Sequence, residues 1–196
     1  MADSLVMKID ENTYTIGNIY LEKDLKEITI PGHINMEEGL IEYLAVTEYG
    51  KTHESIAVLD IQPLHLQIAL LLFGLDYGRN LEFQGDSIAP RGDSVIIELA
   101  WINSKGDSLV YSASELVKDY RTQTAMQSTA WIFTGSALYK GNFLADLDGS
   151  IIATYGDPAA ILNNPLAGRV DDMVYGANDE LLPEPGTKIK MRIKIP

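Results

Sequence analysis

Two histidines and a glutamate lie close enough along the chain to form a chemical site. His53 and Glu54 come just before an apolar run, and His65 comes just after it. Imidazole gains and loses a proton near neutral pH, and a neighbouring carboxylate favours its use in proton transfer. If the two histidines approached each other, the three side chains would suit zinc or another divalent metal. The alternative is structural, with Glu54 paired to Lys51 and His65 bonded at a helix start.

A second group of acidic residues is the segment Asp146-Leu147-Asp148-Gly149. Two carboxylates followed by glycine are typical of the opening of a calcium-binding loop, although no glutamate follows at the spacing that an EF-hand requires. Two close carboxylates can also share a proton and act as acid and base in a hydrolase. The commonest use of Asp-Gly is a β-turn between two strands. All three interpretations stay open on the sequence alone.

An aromatic segment, Trp131-Ile132-Phe133-Thr134-Gly135-Ser136, offers a ligand-binding surface. On a strand Trp131 and Phe133 share one face, and such a platform stacks on sugar rings or flat ligands. Gly135-Ser136 would end the strand and could bring its backbone close to the carboxylates of Asp146 and Asp148. The alternative is that the two rings pack in the core.

Composition excludes several classes of function. The chain has no cysteine, which excludes thiol nucleophiles, disulfides and cysteine-ligated metal clusters. Its formal net charge of -13 opposes binding to nucleic acid and to anionic membranes. Neither a phosphate-binding glycine motif nor Gly-x-Ser-x-Gly is present. No apolar run is long enough to span a membrane.

Short β-type runs separated by turn residues must position these side chains. We expect strands at residues 5–9, 13–20, 26–30, 40–46, 55–59, 95–102, 107–112, 129–135, 150–154 and 188–195. Pro63 and Gly74 delimit a strongly apolar helix at about 63–73. Weaker signals predict helices at 114–120, capped by Ser114, and at 157–162. The fold class predicted is α+β, predominantly β, with mixed or antiparallel sheets packed on the central helix, in a single domain over 1–196.

The last predicted strand alternates cations and apolar residues without a break. Lys188, Lys190, Arg192 and Lys194 therefore lie on one face. Residues 1–60 hold 12 acidic and 4 basic side chains. The cations would either protect an exposed sheet edge or meet this acidic half across the fold.

Several segments together resemble the YdjY-type domain family. In the first half they are Glu42-Tyr43-Leu44-Ala45-Val46, Lys51-Thr52-His53-Glu54-Ser55 and the helix ending Leu71-Leu72-Phe73-Gly74. In the second half they are Trp131 to Ser136, Ala145 to Gly149 and Gly156-Asp157-Pro158. The resemblance extends from about Thr13 onward, with the segments in the family's order.

The resemblance implies a bacterial protein without a settled activity. Relatives are often exported or lipid-anchored, so a periplasmic, lipid-anchored or extracellular mature domain is favoured over a cytoplasmic one. Residues 1–4 do not have the character of a signal peptide. Some relatives occur with ferredoxin-type redox proteins, but their cysteine clusters have no counterpart here.

Two hypotheses follow. The first is a non-enzymatic module that binds a small-molecule ligand or a partner protein, with His53, Glu54, Trp131, Ser136, Asp146 and Asp148 lining its pocket. The second is a secreted hydrolase of peptides or glycans, in which Asp146 and Asp148 share a proton and His53 or Glu54 assists. A divalent metal is the only cofactor suggested, with His53, His65, Asp146 and Asp148 as its ligands.

Overall fold

β-strands dominate the computed structural model, which describes residues 5–196. The strands are β1 (Val6–Lys8), β2 (Thr13–Ile16), β3 (Ile19–Glu22), β4 (Glu27–Ile34), β5 (Tyr43–Val46), β6 (Ser55–Leu59), β7 (Ser94–Ile102), β8 (Ser108–Ser112), β9 (Val117–Asp119), β10 (Thr124–Ala125), β11 (Trp131–Phe133), β12 (Leu138–Tyr139), β13 (Asn142–Phe143), β14 (Ser150–Ala153), β15 (Leu162–Asn163), β16 (Tyr175–Ala177) and β17 (Lys188–Lys194). The helices are α1 (Pro63–Leu72), α2 (Ala113–Leu116) and α3 (Leu144–Asp148). The expectation about a signal peptide at residues 1–4 lies outside the described residues.

Eight strands of the described chain close into a barrel. Their order is β4, β17, β7, β11, β15, β14, β5 and β6, and β6 pairs with β4 to complete the ring. The pairs β5–β6 and β14–β15 are parallel, and the other neighbours in the ring are antiparallel. Alternate residues of the long strands are buried in one hydrophobic core, including Ile28, Ile30, Ile97, Leu99, Met191 and Ile193.

Closure depends on strand β4, which changes neighbour along one edge. Its first residues pair with β3, and its last three pair with β6. Pro31 and Gly32 lie at this change, where proline has no N–H to donate and glycine permits close approach. A Cβ on Gly32 would collide with the backbone oxygen of Val58. The sequence therefore lets β6 approach β4 closely enough to close the ring.

The predicted central helix is present but is not central. Helix α1 spans nearly the expected residues and contacts β3 and α3, burying Leu66, Ala69 and Leu70. Leu64, Leu71 and Leu72 on its other side are exposed. The predicted α+β arrangement, with sheets packed on a central apolar helix, is therefore wrong. The strands bury their apolar residues against one another by closing into a barrel, so the core needs no helix at its centre.

No helix within residues 5–196 combines the length and the apolar character needed to cross a bilayer.

Local turn signals gave mixed results. The hairpin predicted around Asn103 to Gly106 is confirmed, with β7 antiparallel to β8. Helix α2 is shorter than predicted, and its N-cap is Ser112, whose side chain accepts from the Glu115 backbone N–H. No helix forms at 157–162, where Asp157 instead closes a turn by accepting from the Ala159 N–H at 2.8 Å.

The basic strand β17 lies inside the barrel wall, not at an edge. It pairs with β4 on one side and with β7 on the other. The prediction that its cations protect an exposed edge is therefore wrong. The alternative is confirmed in part, because Arg192 Nε lies 3.9 Å from Glu27 Oε1 in the acidic first third of the chain.

Candidate functional site

Lys51 lies at the centre of a charged cluster built from distant segments. Its Nζ is 3.1 Å from Glu42 Oε2 and 3.3 Å from Glu54 Oε1. The same nitrogen lies 5.2 Å from the centre of the Tyr43 ring, a cation–π contact. Burial would lower the pKa of Lys51, but its hydrogen bond to Glu42 and the charges of Glu42 and Glu54 raise it. Lys51 is therefore held as a cation.

A buried hydrogen bond between Tyr43 and Asp157 adjoins the Lys51 ion pairs. The Tyr43 hydroxyl donates to Asp157 Oδ2 at 2.6 Å, and both residues are buried. Burial raises the pKa of the Tyr43 phenol, and the charge of Asp157 and its hydrogen bond raise it further. Tyr43 thus remains a neutral donor, and Asp157 is held in place by a residue 114 positions away.

Asp148 is the least compensated member of the cluster. Asp148 is the last residue of α3, and its side chain is exposed. Desolvation raises the pKa of its carboxyl group, and the charge of Asp157 raises it further, while Lys51 opposes the shift. Within the described part of the chain no donor is in hydrogen-bond contact with this carboxylate. We name Glu42, Tyr43, Lys51, Glu54, Asp148 and Asp157 the Lys51 cluster.

Backbone geometry fixes the elements that carry these side chains. Tyr43 opens strand β5 and Glu42 directly precedes it. Lys51 precedes the 3-10 turn Thr52–Glu54, whose last residue, Glu54, leads into β6, the parallel neighbour of β5. Gly149 ends α3 with φ 71°, and a Cβ there would collide with Thr47. This close approach brings the end of α3, and with it Asp148, against the loop between β5 and β6.

His53 and Glu54 lie at the rim of the cluster. The His53 side chain is 77% exposed, and its Nε2 is 3.7 Å from Glu54 Oε2. The structural interpretation, in which Glu54 pairs with Lys51, is confirmed.

The four predicted metal ligands do not form one group. Asp146 lies at the start of α1, where its Oδ1 accepts from the Leu64 N–H at 2.9 Å. The His65 ring lies beside Gly17, where an added Cβ would be 2.7 Å from Nδ1. His53 and Asp148 belong to the region around Lys51. Among residues 5–196 no three His, Asp or Glu side chains are grouped in a way that could hold a metal ion.

The aromatic segment serves the core. Trp131 is 1% exposed and Phe133 is fully buried, both within the main hydrophobic cluster. The Ser136 hydroxyl accepts from the Ala145 N–H at 2.9 Å and so fixes the start of α3. The segment therefore supports the position of Asp148 and does not present an aromatic surface.

Tyr43, Asp157 and Glu42 were missing from the predicted site, although all three lie in segments that carry the family resemblance. The available signal was the recurrence of carboxylates within those segments, at Glu42, Glu54, Asp146, Asp148 and Asp157. Gln84 had no such signal, yet its Nε2 donates to Glu42 Oε2 at 2.8 Å.

Comparison with known proteins identifies a family for this chain. Searches of curated proteins and of solved structures give no significant match. The family model for the YdjY domain matches residues 19–194, nearly the whole chain. The segments that meet at Lys51 all lie within that match. The chain therefore belongs to the YdjY domain family.

Proposed function

We propose that this YdjY domain is a non-enzymatic binding module and that its ligand carries an ammonium or guanidinium group. The observation that carries the proposal is Asp148, an exposed carboxylate without a hydrogen-bond donor in the described residues. The charge of a second carboxylate, Asp157, acts on it, and Asp157 is already bonded to Tyr43. A cation placed there would relieve the repulsion between the two acids.

The balance of charge supports a cationic ligand. The Lys51 cluster has four carboxylates, those of Glu42, Glu54, Asp148 and Asp157, and one ammonium, that of Lys51. Lys51 is in contact with the two glutamates and Asp157 is bonded to Tyr43, which leaves the exposed Asp148 to an incoming group. The net charge of -13 also attracts cations over a longer distance.

The hydrolase alternative gains no support. An acid–base pair would require Asp146 and Asp148 to share a proton, but Asp146 caps α1 and the carboxylate whose charge raises the pKa of Asp148 is Asp157. We retain a location outside the cytoplasm as part of the proposal, supported by the resemblance to exported relatives.

Binding of arginine methyl ester tests the proposal. In a titration followed by amide NMR, we expect the largest shifts at residues 148–149, 51–54 and 157. Asp148→Asn should weaken binding by up to about fivefold, since an exposed charge pair contributes up to about 1 kcal/mol. Glu184→Gln removes the same charge from an exposed site elsewhere and is the matched control.

Two results would contradict the proposal. Shifts spread evenly over acidic surface residues would mean that only the net charge attracts the cation. Equal weakening of binding by Asp148→Asn and Glu184→Gln would also mean that only the net charge attracts the cation. A parallel titration with the peptide Gly-Arg-Gly separates a small amine from a protein partner, since the peptide binds more tightly only if flanking backbone is also recognised.

A further inference from the structure

A second surface, on the outer face of the barrel, has the opposite charge. A groove of about 470 Å³ runs over strands β17 and β7. Its lining includes Pro31, Ala100, Ile102, Lys188, Lys190 and Arg192. This groove is independent of the Lys51 cluster and shares no residue with it.

The strand register assembles this groove. Residues alternate between exposed or part-buried and buried along β17, so its cations point outward. Lys190 pairs with Pro31 on β4 and with Ala100 on β7, while Lys188 pairs with His33. The neighbours of the two lysines are thus small, apolar or imidazole side chains, and none is a carboxylate.

The cations of β17 divide into a paired and an unpaired half. Lys194 Nζ lies 2.8 Å from Glu98, and Arg192 lies 3.9 Å from Glu27. Across residues 5–196, no carboxylate comes within ion-pair distance of Lys188 or Lys190. Two uncompensated ammonium groups therefore lie side by side in a chain of net charge -13.

Apolar side chains border the two lysines. Ile102 is 61% exposed, and Val110 on the neighbouring strand β8 is 44% exposed. Strand β8, whose sequence is Ser-Leu-Val-Tyr-Ser, is an edge strand that pairs only with β7 in the described chain and carries no charge. Natural edge strands are usually protected by charges or proline. The apolar surface beside Lys188 and Lys190 thus continues to an unprotected edge.

We propose that this basic groove binds an acidic, partly apolar segment of a partner protein in an extended conformation. Carboxylates of the segment would pair with Lys188 and Lys190, and its apolar side chains would cover Ile102 and Val110. The rest of the molecule repels such a segment, so charge directs it to this face. A membrane or a nucleic acid is a broad anionic surface that would also meet the acidic remainder of the protein, which disfavours both.

A labelled peptide tests the proposal. The probe is fluorescein-Glu-Val-Glu-Leu-Glu-Val-Glu, and its binding is followed by fluorescence anisotropy at 50 mM salt. We expect Lys188→Glu with Lys190→Glu to weaken binding about tenfold or more. The matched control is Lys8→Glu with Lys23→Glu, which makes the same change in net charge at two exposed lysines and should weaken binding about twofold or less. Ile102→Ser tests the apolar contact, with an expected loss of about threefold.

The pattern across the variants decides the outcome. Equal weakening by the two double variants, each with a native circular dichroism spectrum, would overturn the proposal, and so would the absence of peptide binding. Tighter binding to phosphatidylglycerol vesicles or to duplex DNA than to the peptide, lost in the Lys188/Lys190 variant, would overturn the choice of a protein partner. None of these results bears on the arginine ester titration, so the two proposals can fail separately.

Discussion

Lys51 and Asp148 differ in how well their charges are compensated. Lys51 has two carboxylates within 3.3 Å and an aromatic ring below it. Asp148 has a buried aspartate nearby and no hydrogen-bond donor among the described residues. Proteins often retain such an unfavourable charge where a ligand relieves it, at some loss of stability. The site proposed here has that character.

Replacing Asp148 should therefore stabilise the free protein. Its folded pKa is raised above the ordinary value of 3.8, so the folded chain holds the proton more tightly than the unfolded chain. Stability then falls as pH rises from 3.8 through the raised pKa, and the loss is complete at neutral pH. We expect Asp148→Asn to increase the free energy of unfolding in urea at pH 7 by less than about 1 kcal/mol, because the group is exposed.

The gain should disappear well below pH 3.8, where Asp148 of the wild-type protein is protonated in both the folded and the unfolded chain. Glu184→Gln, measured in parallel, should show no such dependence on pH. A loss of stability in Asp148→Asn at pH 7 would mean that the carboxylate makes a favourable contact in the folded protein.

Sequence reasoning found the local part of this cluster. The pairing of Lys51 with Glu54 spans three residues and follows from their spacing in a single turn. Tyr43 and Asp157 are 114 residues apart, and only the pairing of β14 with β5 brings their segments together. Spacing along the chain contains no information about such a contact.

At the scale of elements, α1 depends on a distant aspartate for its start. Gln62 at the N-cap makes no side-chain bond to the helix, and the Leu64 N–H donates to Asp146 on α3. Asp146 therefore does for α1 what a capping side chain does locally.

Removal of this cap should destabilise the protein without affecting the Lys51 cluster. We expect Asp146→Ala to lower the free energy of unfolding by about 0.5–2 kcal/mol, measured by urea denaturation. Asp146→Asn keeps an acceptor oxygen and should lose less. Binding of arginine methyl ester should be unchanged in both variants, whereas a large loss in Asp146→Asn would place Asp146 in the ligand site.

Helix α1 and the β7–β8 hairpin were predictable because their signals are local. Pro63 and Gly74 delimit the helix, and Asn103 to Gly106 provide the turn. The short helix α3 was not predicted, because Asp-Gly is used more often in turns than at a helix end. Gly149 there adopts the left-handed conformation that ends the helix.

At the scale of the whole molecule, the closure of the strands into a barrel could not be predicted from the sequence. Strands β4 and β6 pair across more than twenty residues, and β17 lies between β4 and β7 although it is last in the chain. Periodicity identifies which face of each strand is buried, but not which strands are neighbours. The apolar helix α1 was therefore predicted to lie at the centre of the fold, whereas the core is formed by the strands of the closed barrel.

The role of Gly32 in closing the barrel between β4 and β6 can be tested by substitution. A Cβ there would collide with the backbone of Val58 on β6, so Gly32→Ala should destabilise the protein by about 1–3 kcal/mol or more. Hydrogen exchange should show faster exchange of the amides of β6 than of β17. The control is Gly106→Ala at the hairpin tip, where nothing lies within 4 Å of an added Cβ and the cost is about 1 kcal/mol from its left-handed backbone alone. Equal exchange at β6 and β17 in Gly32→Ala would contradict this role of Gly32.

The pKa of the Asp148 carboxyl group, measured by carbon-detected NMR with and without saturating arginine methyl ester, tests the central claim most directly. We expect a value above 3.8 in the free protein, because of desolvation and the charge of Asp157. A cation bound beside the carboxylate favours its ionised form, so the ligand should lower that pKa. A free-protein pKa at or below 3.8, or one that the ligand leaves unchanged, would contradict the account.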